Sequence, residues 1–244
     1  FNLTAEAVGD AITPNTAAVL PVHLYGCPAD VVGIDAVARR HGIPVVYDGA
    51  QAHGATVGGQ PVGAFGDLTA WSFYPGKNLG AFGDGGAVTG RDSRLIDRIR
   101  RLRNYGSDVK YVNQERGFNS RLDEFQAAVL AVKLRHLDEW NARRASQARL
   151  YTRSLEGLRL RLPAVAGDVV SSWHLYVVRD DERDRLQAML ADRGVSTLIH
   201  YPIPPHRQQA YGDHAFGPLP IADRLAEQVL SLPLGPHLLP EQHR

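Results

Sequence analysis

The segment IPVVYDGAQAHGA, residues 43–55, runs from a short apolar stretch directly into polar residues. Ile43–Tyr47 is too short for a helix and is bounded by turn residues, which predicts a buried strand that ends at Asp48. The preceding segment, Ala29–Arg40, has apolar residues at helical spacing, and Gly42 follows it as a C-terminal cap would. Continuous apolar strands that alternate with helices are typical of an α/β domain with a mainly parallel sheet. Three further runs are predicted to be strands of this sheet: Ala17–Val22, Leu68–Phe73 and Gly86–Thr89.

Two helical patterns occupy the middle of the chain, and after Leu160 the pattern changes to a mixture of strands and helices. An amphipathic helix is predicted at Asp92–Arg103, and the longest helical pattern runs from Leu122 to about Leu158. The residues at 120–123, SRLD, resemble a capping box at the start of this long helix. Because a helix of this length usually bridges two domains, we predict a large domain at residues 1–139 and a smaller α+β domain at residues 140–244. The elements predicted inside the smaller domain are a strand at Ser171–Val178, a helix at Glu182–Arg193 and a strand at Ser196–Ile199.

Composition excludes several classes of protein. The 244 residues contain 27 Lys and Arg against 26 Asp and Glu, and a net charge of +1 is too small to indicate a nucleic-acid or membrane-surface binder. No apolar run approaches the roughly 20 residues that a membrane span requires. Cys27 is the single cysteine, so no disulfide forms within the chain, and a reducing compartment, the cytoplasm, is expected. We predict no metal site.

Three short stretches contain the residues best suited to chemistry. They are DGAQAH at 48–53, SFYPGK at 72–77 and GAFGDGG at 80–86. Ligands of open α/β sheets bind beyond the carboxyl ends of the strands, where Asp48 and Ser72 are predicted to lie. The glycine-rich stretch has the wrong spacing for the dinucleotide fingerprint G-x-G-x-x-G. The sequence therefore predicts a ligand site at this sheet edge that is not a dinucleotide site.

The interpretation of Lys77 depends on the residues that accompany it. A lone loop lysine is usually a surface residue, but partial burial lowers the pKa of a lysine and makes its amine a nucleophile. An enzyme that uses pyridoxal 5'-phosphate needs an imine-forming lysine, a carboxylate on the pyridinium nitrogen, phosphate donors and a group on the phenolic oxygen. Lys77, Asp48, Ser72 and Gln51 supply these four. His53, by contrast, is interpreted as a core histidine, with a functional role as the alternative.

The chain resembles the DegT/DnrJ/EryC1/StrS family of pyridoxal-phosphate-dependent sugar aminotransferases, which have the fold-type-I aminotransferase architecture. The segments that resemble the family are PVHLYGCPAD at 21–30, IPVVYDGAQAHGA at 43–55, WSFYPGKNLGAFGDGGAV at 71–88, RNYGS at 103–107, GFNSRLDEFQAAVL at 117–130 and IHYPIPPHRQQAY at 199–211.

The resemblance implies a role for individual residues. Lys77 matches the Schiff-base lysine, Asp48 the partner of the pyridinium nitrogen, and Gln51 the residue beside the phenolic oxygen. Ser72 matches a phosphate-binding serine. Asn119 matches an asparagine that reaches the phosphate of the neighbouring subunit's cofactor, which implies a homodimer with shared active sites; the alternative is that Asn119 caps the long helix.

The resemblance also implies substrate-binding residues. His200 and Tyr201 match positions that contact the substrate, and Tyr74 is either a substrate contact or a packing residue. Family members hold a phosphate-gripping Gly-Thr/Ser turn and a ring-stacking aromatic residue in a front segment that this sequence lacks. We therefore expect native sequence before Phe1.

The implied function is transfer of an amino group from an amino acid, L-glutamate, to a nucleotide-linked keto-deoxysugar, at C3 of a dTDP-sugar. It would proceed through an internal aldimine of Lys77 and a ping-pong mechanism. One alternative is a sugar dehydratase, in which histidine replaces the family lysine; Lys77 argues against it. The other is a non-enzymatic regulatory protein or an inactive remnant of the family.

Overall fold

The computed structural model describes residues 1–214 and 216–238. Two helices open the chain, and five strands follow them before the third helix. The helices are α1 (Ala5–Ala11), α2 (Val31–His41), α3 (Ser93–Leu102), α4 (Glu124–Leu134), α5 (Leu137–Leu155), α6 (Arg183–Ala191) and α7 (Pro220–Gln228). The strands are β1 (Val46–Asp48), β2 (Thr56–Val57), β3 (Gln60–Pro61), β4 (Leu68–Ser72), β5 (Gly86–Gly90), β6 (Val169–Val170), β7 (Tyr176–Arg179) and β8 (Val229–Leu232).

The central sheet has the order β1-β4-β5. Strands β1 and β4 are parallel, with Asp48 opposite Ala70, and β5 is antiparallel to β4. The predicted strand at Ala17–Val22 makes only single parallel bridges, from Val19 to Val45 and from Val22 to Asp48. Since β1 and β4 run in the same direction, their carboxyl ends, and the polar residues that follow them, meet at one edge.

Helix α2 forms where its spacing predicts it. The Asp30 carboxylate accepts the Gly33 N–H at 3.0 Å, and Gly42 ends the helix in the left-handed conformation at φ 65°. The buried side of α2, with Ile34 fully inaccessible, packs beside Tyr47 in the main apolar core. Helix α3 is likewise confirmed, and its N-terminus is capped by Asp92. These helices cover the sheet that positions the site.

The single long helix predicted from Leu122 to Leu158 is wrong. The chain forms α4 and α5 instead, separated by a turn in which the Arg135 N–H bonds the Val132 carbonyl and the His136 N–H bonds the Lys133 carbonyl. No Gly or Pro marks this break, and apolar spacing continues through it. The capping box is wrong as well: α4 begins one residue after the SRLD segment, and Asp123 stands at its N-cap without a side-chain bond.

The chain divides into two compact units. The first comprises Phe1–Ala142 and Val165–His174, and the second comprises Arg143–Ala164 and the chain from Leu175 onward. Strands β7 and β8 form an antiparallel pair in the second unit, where the predicted strand Ser196–Ile199 adds one bridge, from Leu198 to Ser231. Within the described residues, no helix combines the length and the apolar character needed to cross a membrane.

Candidate active site

The turn that follows β1 presents the first group of predicted residues. Asp48 ends the strand, and one of its carboxylate oxygens accepts the Ala50 N–H at 2.8 Å. Gln51 is buried, and its side-chain oxygen accepts the N–H of Tyr25. Gly49 lies so close to the indole of Trp71 that a Cβ atom there would be 2.9 Å from the ring. Local hydrogen bonds and close packing therefore fix the backbone that holds the Asp48 carboxylate.

The turn that follows β4 presents the second group. Ser72 is the last residue of the strand, and its hydroxyl accepts the Tyr74 N–H at 3.3 Å. The Lys77 N–H then bonds the Tyr74 carbonyl at 2.9 Å and closes the turn. The Tyr74 ring itself is exposed. Because β1 and β4 are neighbours, this turn lies beside the Asp48 turn.

Charge interactions connect the two turns. Partial burial lowers the pKa of Lys77, and the negative charge of Asp48 acts in the opposite direction. The pKa of His53 is lowered to about 4, first by its burial and then by the positive charge of Lys77, against a smaller opposing effect of the Ser72 backbone. Amine, carboxylate and imidazole thus influence one another at this edge of the sheet, as functional sites often require.

The burial of His53 supports its interpretation as a core histidine, but the hydrogen bonding of its two ring nitrogens does not. The ring is 4% exposed and lies 5.3 Å from the Trp71 ring and 6.0 Å from the Phe73 ring, measured between centroids. Within residues 1–214 and 216–238, neither ring nitrogen meets a partner with ordinary hydrogen-bond geometry. A buried imidazole with no hydrogen bond stronger than its weak contact with the Ser72 backbone is uncommon and points to a bound group or water.

Asn119 follows the loop that comes after α3. The residues between Asn104 and Asn119 form a closed loop with one antiparallel bridge at its base, and Arg101 fastens the loop through Glu115 at 3.2 Å. Asn119 and Arg103 line a cavity of about 1050 Å³ that Lys77 does not line. The alternative role for Asn119, capping the long helix, is wrong because α4 starts after Asp123. Its role toward a neighbouring subunit stays a prediction.

His200 and Tyr201 belong to the second unit. The His200 Nδ1 lies 2.8 Å from the Ser231 hydroxyl on β8, and the Tyr201 ring is about half exposed. Their substrate role stays a prediction, as does that of Tyr74. Among the described residues, no group of three or more His, Cys, Asp or Glu side chains is arranged to hold a metal ion.

The residues at the two turns fit pyridoxal phosphate by their chemistry. The set comprises a half-buried amine, a carboxylate, a hydroxyl and a buried amide, from Lys77, Asp48, Ser72 and Gln51. An α/β sheet that ends in this set is the arrangement of fold-type-I aminotransferases. The chain belongs to the DegT/DnrJ/EryC1/StrS aminotransferase family, whose model matches residues 1–244. The predicted family and fold class are confirmed.

Two curated relatives and one solved structure illustrate the similarity. The chain is 56% identical over 239 residues to the erythromycin biosynthesis sensory transduction protein EryC1 of Saccharopolyspora erythraea, covering 97% of this chain and 65% of that protein. It is 54% identical over 234 residues to the dTDP-3-amino-3,4,6-trideoxy-alpha-D-glucose transaminase of Streptomyces venezuelae, covering 95% and 62%.

The solved structure is the crystal structure of S. venezuelae DesV in complex with a ketimine intermediate. It superposes with a TM-score of 0.97 at 52% identity, over 99% of this chain and 66% of that one. The chain thus spans slightly less than two thirds of the length of these proteins.

Proposed function

We propose that the protein is a pyridoxal-phosphate-dependent aminotransferase that moves an amino group from L-glutamate to C3 of a dTDP-linked keto-deoxysugar. The observation that carries this proposal is the half-buried amine of Lys77, which interacts with the charge of Asp48 where two neighbouring strands end. Membership of the family and similarity to a relative named as a dTDP-3-amino-sugar transaminase support it. A location in the cytoplasm stays a prediction from the single Cys27.

When bound, pyridoxal phosphate supplies an electron-withdrawing ring that stabilises negative charge on a substrate carbon. The Asp48 carboxylate would hold the proton on the ring nitrogen and so keep the ring electron-poor. Gln51 would donate to the phenolic oxygen, since its side-chain oxygen already accepts the Tyr25 N–H and its amide nitrogen is the donor end. The Ser72 hydroxyl would donate to the phosphate.

Lys77 would act as the acid and base of the reaction. An ordinary lysine amine is protonated at neutral pH and cannot accept a proton, but burial shifts the pKa of Lys77 downward. A lowered pKa increases the fraction of the amine that is unprotonated at a given pH, and an unprotonated amine can take a proton from a substrate carbon and return it to another atom. The opposing effect of Asp48 limits how far the shift goes.

The proposed active site is shared between two subunits. Asn119 would donate to the phosphate held by the partner chain through its amide nitrogen, since its side-chain oxygen accepts the Arg121 Nε–H at 3.3 Å. His200, Tyr201 and Tyr74 are assigned to the sugar substrate. In a symmetric dimer each subunit would complete the other's site.

A substrate panel tests the reaction. The full protein is incubated with pyridoxal phosphate, glutamate and a set of 3-keto and 4-keto nucleotide sugars, and the amino-sugar product is followed by mass. We expect product from a 3-keto dTDP-sugar, none with Lys77→Ala, and unchanged product with Lys110→Ala, a matched change of an exposed lysine.

Two outcomes would contradict the proposal. Deoxygenation of the sugar without amination would favour the dehydratase alternative. Failure of the protein to bind pyridoxal phosphate, or of any amino donor to change the spectrum of the bound cofactor, would favour the non-enzymatic alternative.

Mixed dimers test the shared site. Lys77→Ala and Asn119→Ala subunits, each inactive alone, should regain activity on mixing, because one composite site in each heterodimer keeps both residues. Absence of recovery after verified subunit exchange would count against the role of Asn119.

A further inference from the structure

The side chain of Asn78, directly after Lys77, is buried and hydrogen-bonded at both ends of its amide. It is 6% exposed, and its amide nitrogen donates to the Ser172 carbonyl at 2.7 Å and to the Asn141 side-chain oxygen at 2.9 Å. The His174 Nδ1 lies 3.1 Å from the Asn78 side-chain oxygen and donates to it, since an amide oxygen only accepts. Both donors and the acceptor of the amide are therefore in use.

The partners of Asn78 also hold the turn that follows β1. The Ser172 hydroxyl donates to the Gln51 carbonyl at 2.9 Å, and the Asn141 side-chain nitrogen donates to the His53 carbonyl at 2.8 Å. Two separate bridges thus join the Lys77 turn to the Asp48–His53 turn, one through Ser172 and one through Asn141. We call Asn78, Asn141 and Ser172 the amide clasp.

The backbone around the clasp leaves little room for adjustment. A Cβ atom at Gly26 would lie 2.4 Å from the Ser172 hydroxyl and 2.9 Å from the Gln51 carbonyl. A Cβ atom at Gly80 would lie 2.4 Å from the Pro75 carbonyl, because the chain after Lys77 folds back on its own turn. The backbone beside the clasp is therefore closely packed, and the clasp adds hydrogen bonds between the two turns to the parallel pairing of β1 and β4 that already makes them neighbours.

We propose that Asn78 is a positioning residue for Lys77: through the amide clasp it fixes the Lys77 turn against the Asp48–His53 turn and keeps the Lys77 amine half buried beside the Asp48 carboxylate. The proposal deepens the proposed function, since it rests on Lys77 as the reacting amine. Hydrogen bonds between buried groups are suited to this task, because breaking one leaves its partners unsatisfied and the arrangement has no cheap alternative.

The test measures the Lys77 amine directly, without cofactor. Short pulses of an amine-acylating reagent are applied across a pH series, and the modified fraction of each lysine is read by peptide mass; the chain has only three lysines, Lys77, Lys110 and Lys133. In the unsubstituted protein the Lys77 midpoint should lie below the ordinary value of a lysine amine. In Asn78→Ala it should move toward that ordinary value by about half a unit to one unit, a three- to tenfold change in the fraction of free amine at a given pH.

Asn113→Ala is the matched control. The Asn113 amide donates to the Tyr105 carbonyl at 2.7 Å in an exposed loop, so the same substitution there should leave the Lys77 midpoint unchanged. A folded Asn78→Ala protein with the Lys77 midpoint of the unmodified protein would overturn the proposal, since a merely structural asparagine would lower the melting temperature and nothing else. Equal shifts in Asn78→Ala and Asn113→Ala would overturn it too.

If Asn78→Ala does not fold, a second variant provides the test. Asn141→Ala removes one of the two bridges and keeps the bond from Asn78 to Ser172, so a smaller shift of the Lys77 midpoint in the same direction is expected. No shift would overturn the proposal. Because the measurement needs no cofactor, it separates the two proposals. If the substitutions shift the Lys77 midpoint but the protein does not bind pyridoxal phosphate, the proposed function is refuted and the role of the clasp is supported. If the protein is an active aminotransferase but the substitutions leave the Lys77 midpoint unchanged, the role of the clasp is refuted and the proposed function is supported.

Discussion

Replacing Gly49 with alanine should destabilise the protein, because the new methyl group has no space. Its Cβ atom would lie 2.8 Å from the Thr69 methyl and 2.9 Å from two ring atoms of Trp71, whereas ordinary contacts begin at 3.4 Å. The neighbours must therefore move by about 0.5 Å, and neither is the end of a flexible chain. Overpacking of this kind costs roughly 1–3 kcal/mol.

Part of that cost is offset in the unfolded chain. Alanine has less backbone freedom to lose on folding than glycine, and this difference raises the free energy of unfolding by roughly 0.4–1 kcal/mol. The net loss in the free energy of unfolding should be about 1–2 kcal/mol, or about 2–8 °C in melting temperature for a chain of this size. Thermal unfolding followed by circular dichroism measures this change. Gly167→Ala is the matched control, because no atom lies within 4 Å of a Cβ there.

A double-mutant cycle identifies the cause. If the indole of Trp71 is what the methyl group meets, Gly49→Ala should cost less in a Trp71→Leu background than alone, with a coupling of about 1 kcal/mol. Additive effects of the two substitutions, or a Gly49→Ala protein as stable as Gly167→Ala, would refute the reasoning.

Three further predictions concern pH, catalysis and helix termination. His23 and His53 have pKa values of about 4 in the folded protein, against 6.5 when exposed, so at these two positions only the unfolded chain takes up protons as the pH falls below 6.5. Each histidine should therefore lower the free energy of unfolding by roughly 2 kcal/mol between pH 7.5 and pH 5. Denaturant titrations of His53→Gln at the two pH values should show about half of the combined loss. Asp48→Asn should keep the fold and lose most turnover, with kcat falling more than substrate affinity, because a neutral amide cannot hold a pyridinium proton; near-normal turnover in steady-state kinetics would remove Asp48 from that role. Gly42→Ala should cost about 1 kcal/mol in a urea titration, since the left-handed φ of 65° strains a residue with a Cβ while no atom crowds it; an unchanged midpoint would show that the helix end relaxes.

The residues at the strand ends could be predicted from sequence because each lies in a short local motif. Asp48 and Ser72 follow apolar runs, and neighbouring parallel strands bring such ends together whatever the remaining fold. The break between α4 and α5 could not be predicted, because residues 135 and 136 contain no Gly or Pro and the apolar spacing passes through them. Periodicity reports which side of a helix is apolar, and it does not report where tertiary packing interrupts the helix.

Residues 171–174 are a second place where the local sequence pattern does not predict the tertiary contacts. Their pattern favours a strand that continues into β7, yet Ser171 and Ser172 hydrogen-bond to the Gly26 carbonyl and the segment belongs to the first unit. No local signal separates such a serine from one on a solvent-facing loop. The amide clasp was missed for that reason: Asn78 follows a recognised lysine, but its partners lie 63 and 94 residues further along the chain.

The distance along the chain between Asn78 and Ser172 has a consequence during synthesis. At roughly 5–20 residues per second, the ribosome needs about 5–19 s to add the 94 residues that separate them. For that interval the Lys77 turn is complete in sequence but lacks its bond to Ser172, and the Gln51 carbonyl lacks its bond to the Ser172 hydroxyl. A nascent chain that ends before Ser172 would contain Asp48, Ser72 and Lys77 but only one of the two bridges of the amide clasp. The Lys77 turn therefore receives its full set of hydrogen bonds only near the end of the synthesis of the first unit, whose last residue is His174.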